Sequence, residues 1–440
     1  MVQESNNKPD KNLHFSFLDG SFASGMTGFT QDYFTPFILH LGATVKQVGF
    51  LSALPNLFGA LMQMKSADVA DKLKSRRKTI TLFVFMQALM LLPMVAISLL
   101  GKAKPAIFIA TVVLFMSFGA FALPAWGSMM SDIIPEDKRG EYFGWRNRVL
   151  GFIAVLASFS AGVILYLSNK LNFVSGFAIV FGAAFIFRMV SWYYIKRMRE
   201  PRLEHKEENY FSLVDFLSRI KQSNFAKFVL LVSLLLFATY LSAPFFAVLM
   251  LKDLRFNYLL YTVITLTATL TVYLVVGRWG KHADKVGNLK IIRLTAPMVS
   301  IVPLLWIIDR HPLYLCFAQV FSGFSWAGFN LCVTNFIYDA SSPGKRTRCI
   351  SYFNVISGVF ACAGAILGGY LAQKLPPLSG YKLLTLFLVS SILRLVVAVF
   401  MQFKLKEVRP VEDVSGDKLL FSVVGIRPLF LDIQRKNQWY

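Results

Sequence analysis

Four stretches of this sequence, residues 79–100, 105–131, 149–169 and 228–251, run for more than twenty positions without a charged side chain. About 20 apolar residues in a helix are enough to cross about 30 Å of hydrocarbon. Inside lipid, each backbone N–H must find its acceptor within its own segment, so such runs are predicted to be transmembrane helices. There are too many of them for one soluble core. Composition agrees: 55% of the 440 residues are hydrophobic and only 16% are charged, too few to cover a water-soluble chain of this length.

Hydropathy predicts an all-α integral membrane fold with twelve transmembrane helices, at 15–41, 46–66, 79–100, 105–131, 142–168, 173–196, 225–251, 256–279, 289–308, 312–338, 349–373 and 380–403. These group into an amino-terminal six-helix bundle (1–196), a cytoplasmic linker (197–224), a carboxy-terminal six-helix bundle (225–403) and a cytoplasmic tail (404–440). Lys and Arg concentrate in alternate loops, after helices 2, 4, 6, 8 and 10. By the positive-inside rule these loops and both termini face the cytoplasm, in the cell membrane. The first fourteen residues are polar, so helix 1 is expected to serve as its own insertion signal. The net charge of +22 is accounted for by these loops, and no basic-aromatic interleaving outside them points to nucleic acid. Within the linker, Ser212 and Asp215 have the spacing of a capping box, with Phe211, Val214, Phe216, Leu217 and Ile220 at helical spacing. That pattern predicts an amphipathic helix on the membrane face or against a partner. Leu419, Leu420, Phe421, Val423 and Val424 repeat the style in the tail. Cys316, Cys332, Cys349 and Cys362 lack ligand spacing and read as packing residues; no metal or cofactor is expected.

The two bundles repeat. At a shift of 207 residues Asp132 falls on Asp339, Lys138 and Arg139 on Lys345 and Arg346, Asn147 on Asn354, Gly151 on Gly358, and Gly162 on Gly369. At 206, Arg188 falls on Arg394. At 213, Ala70, Asp71 and Lys72 fall on Ala283, Asp284 and Lys285. Two parallel copies of a six-helix unit place a solute site between them and allow alternating access by rocking.

After helix 2 the chain carries Ala67, Asp71, Lys72, Lys74, Arg76, Arg77 and Lys78; after helix 8 it carries Gly280, Asp284, Lys285 and Gly287. A carboxylate at such a helix end can cap a neighbouring helix amino terminus and pair with Arg. Both loops resemble the G-x-x-x-D-[RK]-x-G-[RK]-[RK] signature of the major facilitator superfamily. With the twelve-helix plan, the resemblance covers essentially the whole chain. It implies that Asp71 and Asp284 are gate carboxylates, with Lys72, Arg76, Arg77 and Lys285 as partners. Ala67 and Lys74 stand where the family usually has Gly. The same resemblance implies cytoplasmic charge networks at helix ends: Asp132, Arg139, Arg188 and Glu200 in the first half, Asp339, Arg346, Arg394 and Glu407 in the second. Arg146 and Arg148 fit either that network or contact with lipid headgroups.

Polar residues inside the membrane are candidates for function. Helix 1 carries Asp19, about one turn from its inner end, and Gln31 and Asp32 near its outer end. Either aspartate could couple transport to H+ or Na+, or act as a gate charge. Gln31, Trp126, Tyr240, Trp326 and Asn330 are candidates for a solute cavity, with helix packing the alternative for the aromatics. Helix 4 lacks the buried Arg common in proton-coupled branches, and helix 5 lacks the Gly-Pro pair of drug antiporters. No G-x-x-x-x-G-K-[ST] supports ATP-driven pumping, and the five His are too scattered for an enzyme site. The expected function is a monomeric secondary transporter of a small organic solute, embedded in the lipid bilayer. Alternatives are an exporter of amphipathic drugs or lipids, and a non-transporting receptor or scaffold on the same fold.

Overall fold

The computed structural model describes residues 8–135, 138–170, 176–201, 223–341, 346–408 and 416–425. These are helical throughout apart from turns and a pairing of Leu378 with Tyr381. The helices are α1 (Lys8–Thr30, resuming as Phe34–His40), α2 (Val45–Gln63), α3 (Arg76–Leu100, bent at Met90) and α4 (Pro105–Ile133). They continue as α5 (Arg139–Lys170), α6 (Gly176–Arg197), α7 (Asn224–Tyr240, resuming as Phe245–Val248 and Leu249–Asp253), α8 (Tyr258–Val286) and α9 (Asn288–Ile308). The last are α10 (Pro312–Ala340), α11 (Arg346–Lys374), α12 (Lys382–Lys404) and α13 (Gly416–Val424). Ten of them, α3 to α12, are long and apolar enough to span a membrane. With α1 and α2 they make the expected twelve. The amphipathic helix expected in the linker lies outside the described residues.

α1 begins at Lys8, not at 15, and α8 runs to Val286, past 279. Hydropathy marks the part of a helix that lipid covers. Backbone i→i−4 bonds need no apolar side chain and continue into water.

Two helices break at repeated positions. Pro36 has no N–H to donate to the carbonyl of Asp32, and that freed oxygen accepts the Tyr261 hydroxyl at 2.7 Å. The turn Gln31–Tyr33 interrupts α1 there, helped by the Thr30 hydroxyl, which donates back to the Met26 carbonyl at 2.9 Å. Pro244 does the same to α7, which stops at Tyr240 and resumes at Phe245. The duplication therefore extends to helix geometry.

The chain divides into two compact units. The first comprises Met1–Glu207, Leu236–Leu266 and Asn354–Phe387. It holds α1 to α6 together with the ends of α7, α8, α11 and α12 that lie on the far face, opposite the face where the chain starts. Phe37, in α1, packs edge-on against Phe108 of α4 and Phe181 of α6, at centroid distances of 4.9 and 5.3 Å. Close backbone approaches are bought with glycine: a Cβ on Gly28 would lie 2.3 Å from the Ala154 carbonyl oxygen. A Cβ on Gly364 or Gly368 would lie 2.2 Å from the carbonyl oxygen of Phe237 or of Leu241. This pair forms a G-x-x-x-G face on α11 against α7. At the far face Gly369 sits against the backbone of Lys46, and Gly49 against the Ala365 carbonyl.

The second unit comprises Glu208–Leu235, Thr267–Phe353 and Leu388–Tyr440. Its core includes Trp279 and Trp306, both fully buried. The Trp279 indole donates to the Phe324 carbonyl at 3.0 Å and leaves no room for a side chain on Gly328. The tail helix α13 buries Leu419 and Val423, and its Ser422 hydroxyl bonds the His282 ring at 2.8 Å.

Candidate functional site

At the near face of the first unit a lock is built on the start of α3. Ser75 is its N-cap, accepting the Lys78 N–H. Glu200, just beyond α6, accepts the Arg76 backbone N–H at 2.6 Å and the Ser75 hydroxyl. A carboxylate at a helix amino terminus meets both unpaired N–H groups and the positive dipole end. The Arg76 side chain, 6% exposed, pairs with Asp132 at the end of α4 (2.6 Å) and lies 3.6 Å from Glu200. It also donates to the Ser128 carbonyl and hydroxyl and to the Pro201 carbonyl. Arg77 donates to the Met198 carbonyl. Asp71 and Lys72 are exposed on the short helix Ser66–Lys72. The acids that hold Arg76 are thus Asp132 and Glu200, which joins the loop motif and the charge network into one assembly.

The second unit repeats the lock with different residues. Glu407 accepts the Leu289 N–H at 2.7 Å at the start of α9, and Asn288 donates to Asp339 at 2.7 Å. Leu289 stands 213 positions after Arg76, and Glu407 stands 207 after Glu200. The carboxylate cap is retained while an amide replaces the guanidinium. Gly280 lies within α8, with Asp284 and Lys285 exposed in its last turn. The side chains of Arg139 and Arg346 lie outside the described residues.

The departure from glycine at Lys74 has a local cost. Lys74 adopts φ +50° and its repeat partner Gly287 φ +85°. A left-handed backbone costs a non-glycine residue about 1–2 kcal/mol, partly offset by the greater unfolded freedom of Gly. Lys74→Gly is therefore expected to stabilise the protein by roughly 0.5–1 kcal/mol, read as a higher unfolding midpoint in detergent. An unchanged or lower midpoint would remove the strain account.

The second feature lies deeper in the first unit, between α1, α3, α4, α5 and α6. Asp19 is 4% exposed and accepts the Ser191 hydroxyl at 2.7 Å; Ser191 in turn accepts from Arg188 at 3.0 Å. Arg188 is nine residues from the end of α6, about 13 Å in at 1.5 Å per residue. It therefore sits inside the membrane-spanning part of the helix, buried, and not at the helix end where the expected network lay. Arg394 is placed likewise within α12, 2% exposed, bonded to Ser390 and to the Val299 carbonyl. Asp19, bonded one helix turn and a half above the end of α6, is correspondingly deeper than one turn. Arg146 completes the cluster: it is buried, donates to the Ser16 carbonyl at 3.1 Å and stacks 4.6 Å over the Trp126 ring. Gly20 makes this possible, since a Cβ there would lie 2.2 Å from the guanidinium. Asp19, Trp126, Arg146 and Arg188 line a cavity of about 240 Å³.

At the far face Asp32 accepts the Ser158 hydroxyl at 2.8 Å. The neighbouring Tyr33 is fully buried, and its hydroxyl bonds the Ser158 carbonyl and, at 2.9 Å, the Thr262 hydroxyl. A Cβ on Gly162 would collide with Thr262. Asp32 thus belongs to a junction of α1, α5 and α8. Of the cavity candidates, Trp126 lines the charged cavity, Gln31 is exposed, and Tyr240 bonds Asn56. Trp326, edge-on to Phe329, and exposed Asn330 belong to the second unit. Reading the sequence missed Ser191, Tyr33, Ser158, Tyr261 and Thr262. Two local signals existed: Ser191 is three residues from Arg188 on a helix, and Pro36 is four after Asp32.

The family profile of the Major Facilitator Superfamily matches residues 20–308 and 279–435. No curated protein matches the sequence. Among solved structures, a variant of the nucleoside transporter NupG superposes with a TM-score of 0.71 at 14% identity, over 91% of this chain and 100% of that one. A D-xylose-proton symporter gives 0.66 at 11% identity, over 92% and 99%. A bacterial homologue of the human lysosomal transporter Spinster, inward-facing and occupied, gives 0.64 at 14%, over 91% and 97%. Identities this low speak for the fold alone, but together with the family match across nearly the whole sequence they settle the assignment: the chain belongs to the Major Facilitator Superfamily.

Proposed function

We propose that the protein is a secondary transporter of a small organic solute, working by alternating access between six-helix halves at 1–196 and 225–403. The observation that carries this reading is the repeated lock. Glu200 and Glu407 cap the first turns of α3 and α9 at equivalent places in the two copies of the repeat, as two gates of a duplicated carrier require. The loop that carries Arg76, Arg77 and Lys78 is positive, which supports a cytoplasmic near face in the cell membrane. The far face is then the external gate, held by the Tyr33, Ser158 and Thr262 junction and by glycine contacts between α2 and α11. Similarity to transporters of nucleosides and of D-xylose with protons supports solute transport, with H+ or Na+ as candidate coupling ions.

A cross-link tests the mechanism. A Cβ on Gly369 would lie 3.2 Å from the Lys46 Cα, within reach of a disulfide. In a background with the native cysteines replaced by serine, the pair Lys46→Cys and Gly369→Cys is expected to close the far face on oxidation. Solute entry into proteoliposomes, read by mass spectrometry of a metabolite mixture, should fall at least tenfold and return on reduction. Full entry through the oxidised protein would sink alternating access. Coupling is tested separately: Asp19→Asn and Asp32→Asn variants that both kept gradient-driven uptake would rule out these carboxylates.

A further inference from the structure

The charged cavity of the first unit is not balanced in charge. Three of its lining residues are ionisable, and they are one carboxylate, Asp19, and two guanidiniums, Arg146 and Arg188. Both arginines face Asp19 electrostatically, yet Asp19 is already held by Ser191. Arg146 and Arg188 are 7% and 8% exposed, and the Nε of each has no hydrogen-bond partner among the described residues. A buried cation without a counter-charge is costly, so this site is built to receive an anion. With Asp19 ionised, a single negative charge restores neutrality. The remaining wall is mostly apolar, with Ile80, Val84, Leu123, Leu150 and Ile195, and carries the two hydroxyls of Ser24 and Thr27. About 240 Å³ is room for roughly eight waters at about 30 Å³ each, which limits the occupant to a small molecule.

We propose that this cavity binds a small monocarboxylate with an apolar body. The carboxylate meets the forked donors of Arg146 and Arg188, and the body lies on Trp126 and the aliphatic wall. Resting on the transport reading above, the cavity is the solute's binding site, and the transported class is organic monoanions. Asp19 tunes the site: it keeps the net charge at one, and so disfavours dianions such as phosphate esters.

The test is a thermal-shift and calorimetric titration of the purified full-length protein with benzoate, butyrate and octanoate. The comparison compounds are benzamide, butanol and phenyl phosphate. Binding is expected for a carboxylate and at least tenfold weaker for the amide, the alcohol and the phosphate. Arg188→Gln should reduce carboxylate affinity by at least tenfold. Because it strands Asp19, Arg188→Gln with Asp19→Asn is the charge-balanced companion, and Ala23→Leu fills the cavity without removing any charge. Both are expected to fold and to lose binding. Equal binding of amide and carboxylate, tighter binding of phenyl phosphate, no binding of any carboxylate, or affinity unchanged in both companions would each overturn the proposal. Uptake into proteoliposomes separates the two readings. Carboxylate binding without flux leaves the anion site and removes transport, whereas flux of neutral solutes alone leaves transport and removes the anion site.

Discussion

Replacing Arg76 by alanine is expected to destabilise the protein by about 2–3 kcal/mol and to loosen the near-face lock. Losing one partner of a buried ion pair typically costs about 3–5 kcal/mol, because the other charge is left without compensation. Here Glu200 is 16% exposed but Asp132 is 43% exposed, so part of the cost is relieved by water and the lower figure applies. Glu200 would keep the Arg76 backbone N–H and the Ser75 hydroxyl, which is why the cap should outlast the side chain. If the lock holds one state of the carrier, about 2–3 kcal/mol corresponds to a shift of roughly 30- to 150-fold in the balance between states. The readout is the unfolding midpoint in detergent. Arg76→Lys should fall between, keeping the charge but losing the fork that reaches Ser128 and Pro201. Asp71→Ala, at an exposed position, should stay within about 0.5 kcal/mol in stability. A variant series in which Asp71 mattered more to stability than Arg76 would show that the lock is centred elsewhere.

The second large effect is expected at the α11 and α7 contact. Gly368→Leu, or Gly364→Leu, should cost on the order of 3 kcal/mol or prevent assembly, since overpacking of a well-packed site typically costs about 1–3 kcal/mol and here backbone must move. Even a Cβ would lie 2.2 Å from a carbonyl oxygen of the neighbouring helix, and that oxygen belongs to α7 backbone, which has no rotamer to relieve the clash. Gly127, in α4, has open space around its Cβ position. Gly127→Ala is the control, and it should be neutral or slightly stabilising because alanine is the better helix former. Expression and monodispersity on size exclusion give a first readout, and thermal unfolding gives the size. If Gly368→Leu assembled as well as Gly127→Ala, the close approach of α11 to α7 would be disproved.

How much of this was legible beforehand differs by residue. The twelve helices, with most ends within a few residues, follow from hydropathy because lipid leaves a backbone no other choice. The equivalence of Asp132 with Asp339 and of Arg188 with Arg394 was visible as a repeat. The depth of Arg188 was not, because a Lys- and Arg-rich helix end at Lys196 and Arg197 draws the eye to the boundary, while Arg188 is paired inward through Ser191 to a carboxylate that lies 172 residues from that serine. Arg146 was ambiguous for a related reason: it lies two positions from exposed Arg148, and only its helical phase turns it onto Trp126. The loop motif pointed to Asp71 and Arg76 as partners, but the partner acids of Arg76 come from the ends of α4 and α6, distant in sequence.

What the amino-acid order determined alone is therefore what depends on local backbone satisfaction in lipid and on duplication: the number of membrane-spanning helices and their repeat, whereas the breaks near Pro36 and Pro244 fall inside stretches that hydropathy gives as continuous. What only the tertiary structure decided is which charges meet. Inside the membrane a guanidinium is tolerated only where another helix supplies its partners. The acids that hold Arg76, the Ser16 carbonyl and Trp126 ring that hold Arg146, and the Asp19 carboxylate that Arg188 reaches through Ser191 come from distant parts of the chain, brought close by packing at Gly20, Gly28 and their like. Pairing across helices leaves no periodic trace in any one segment, so the lock and the charged cavity could be read only once the helices stood side by side.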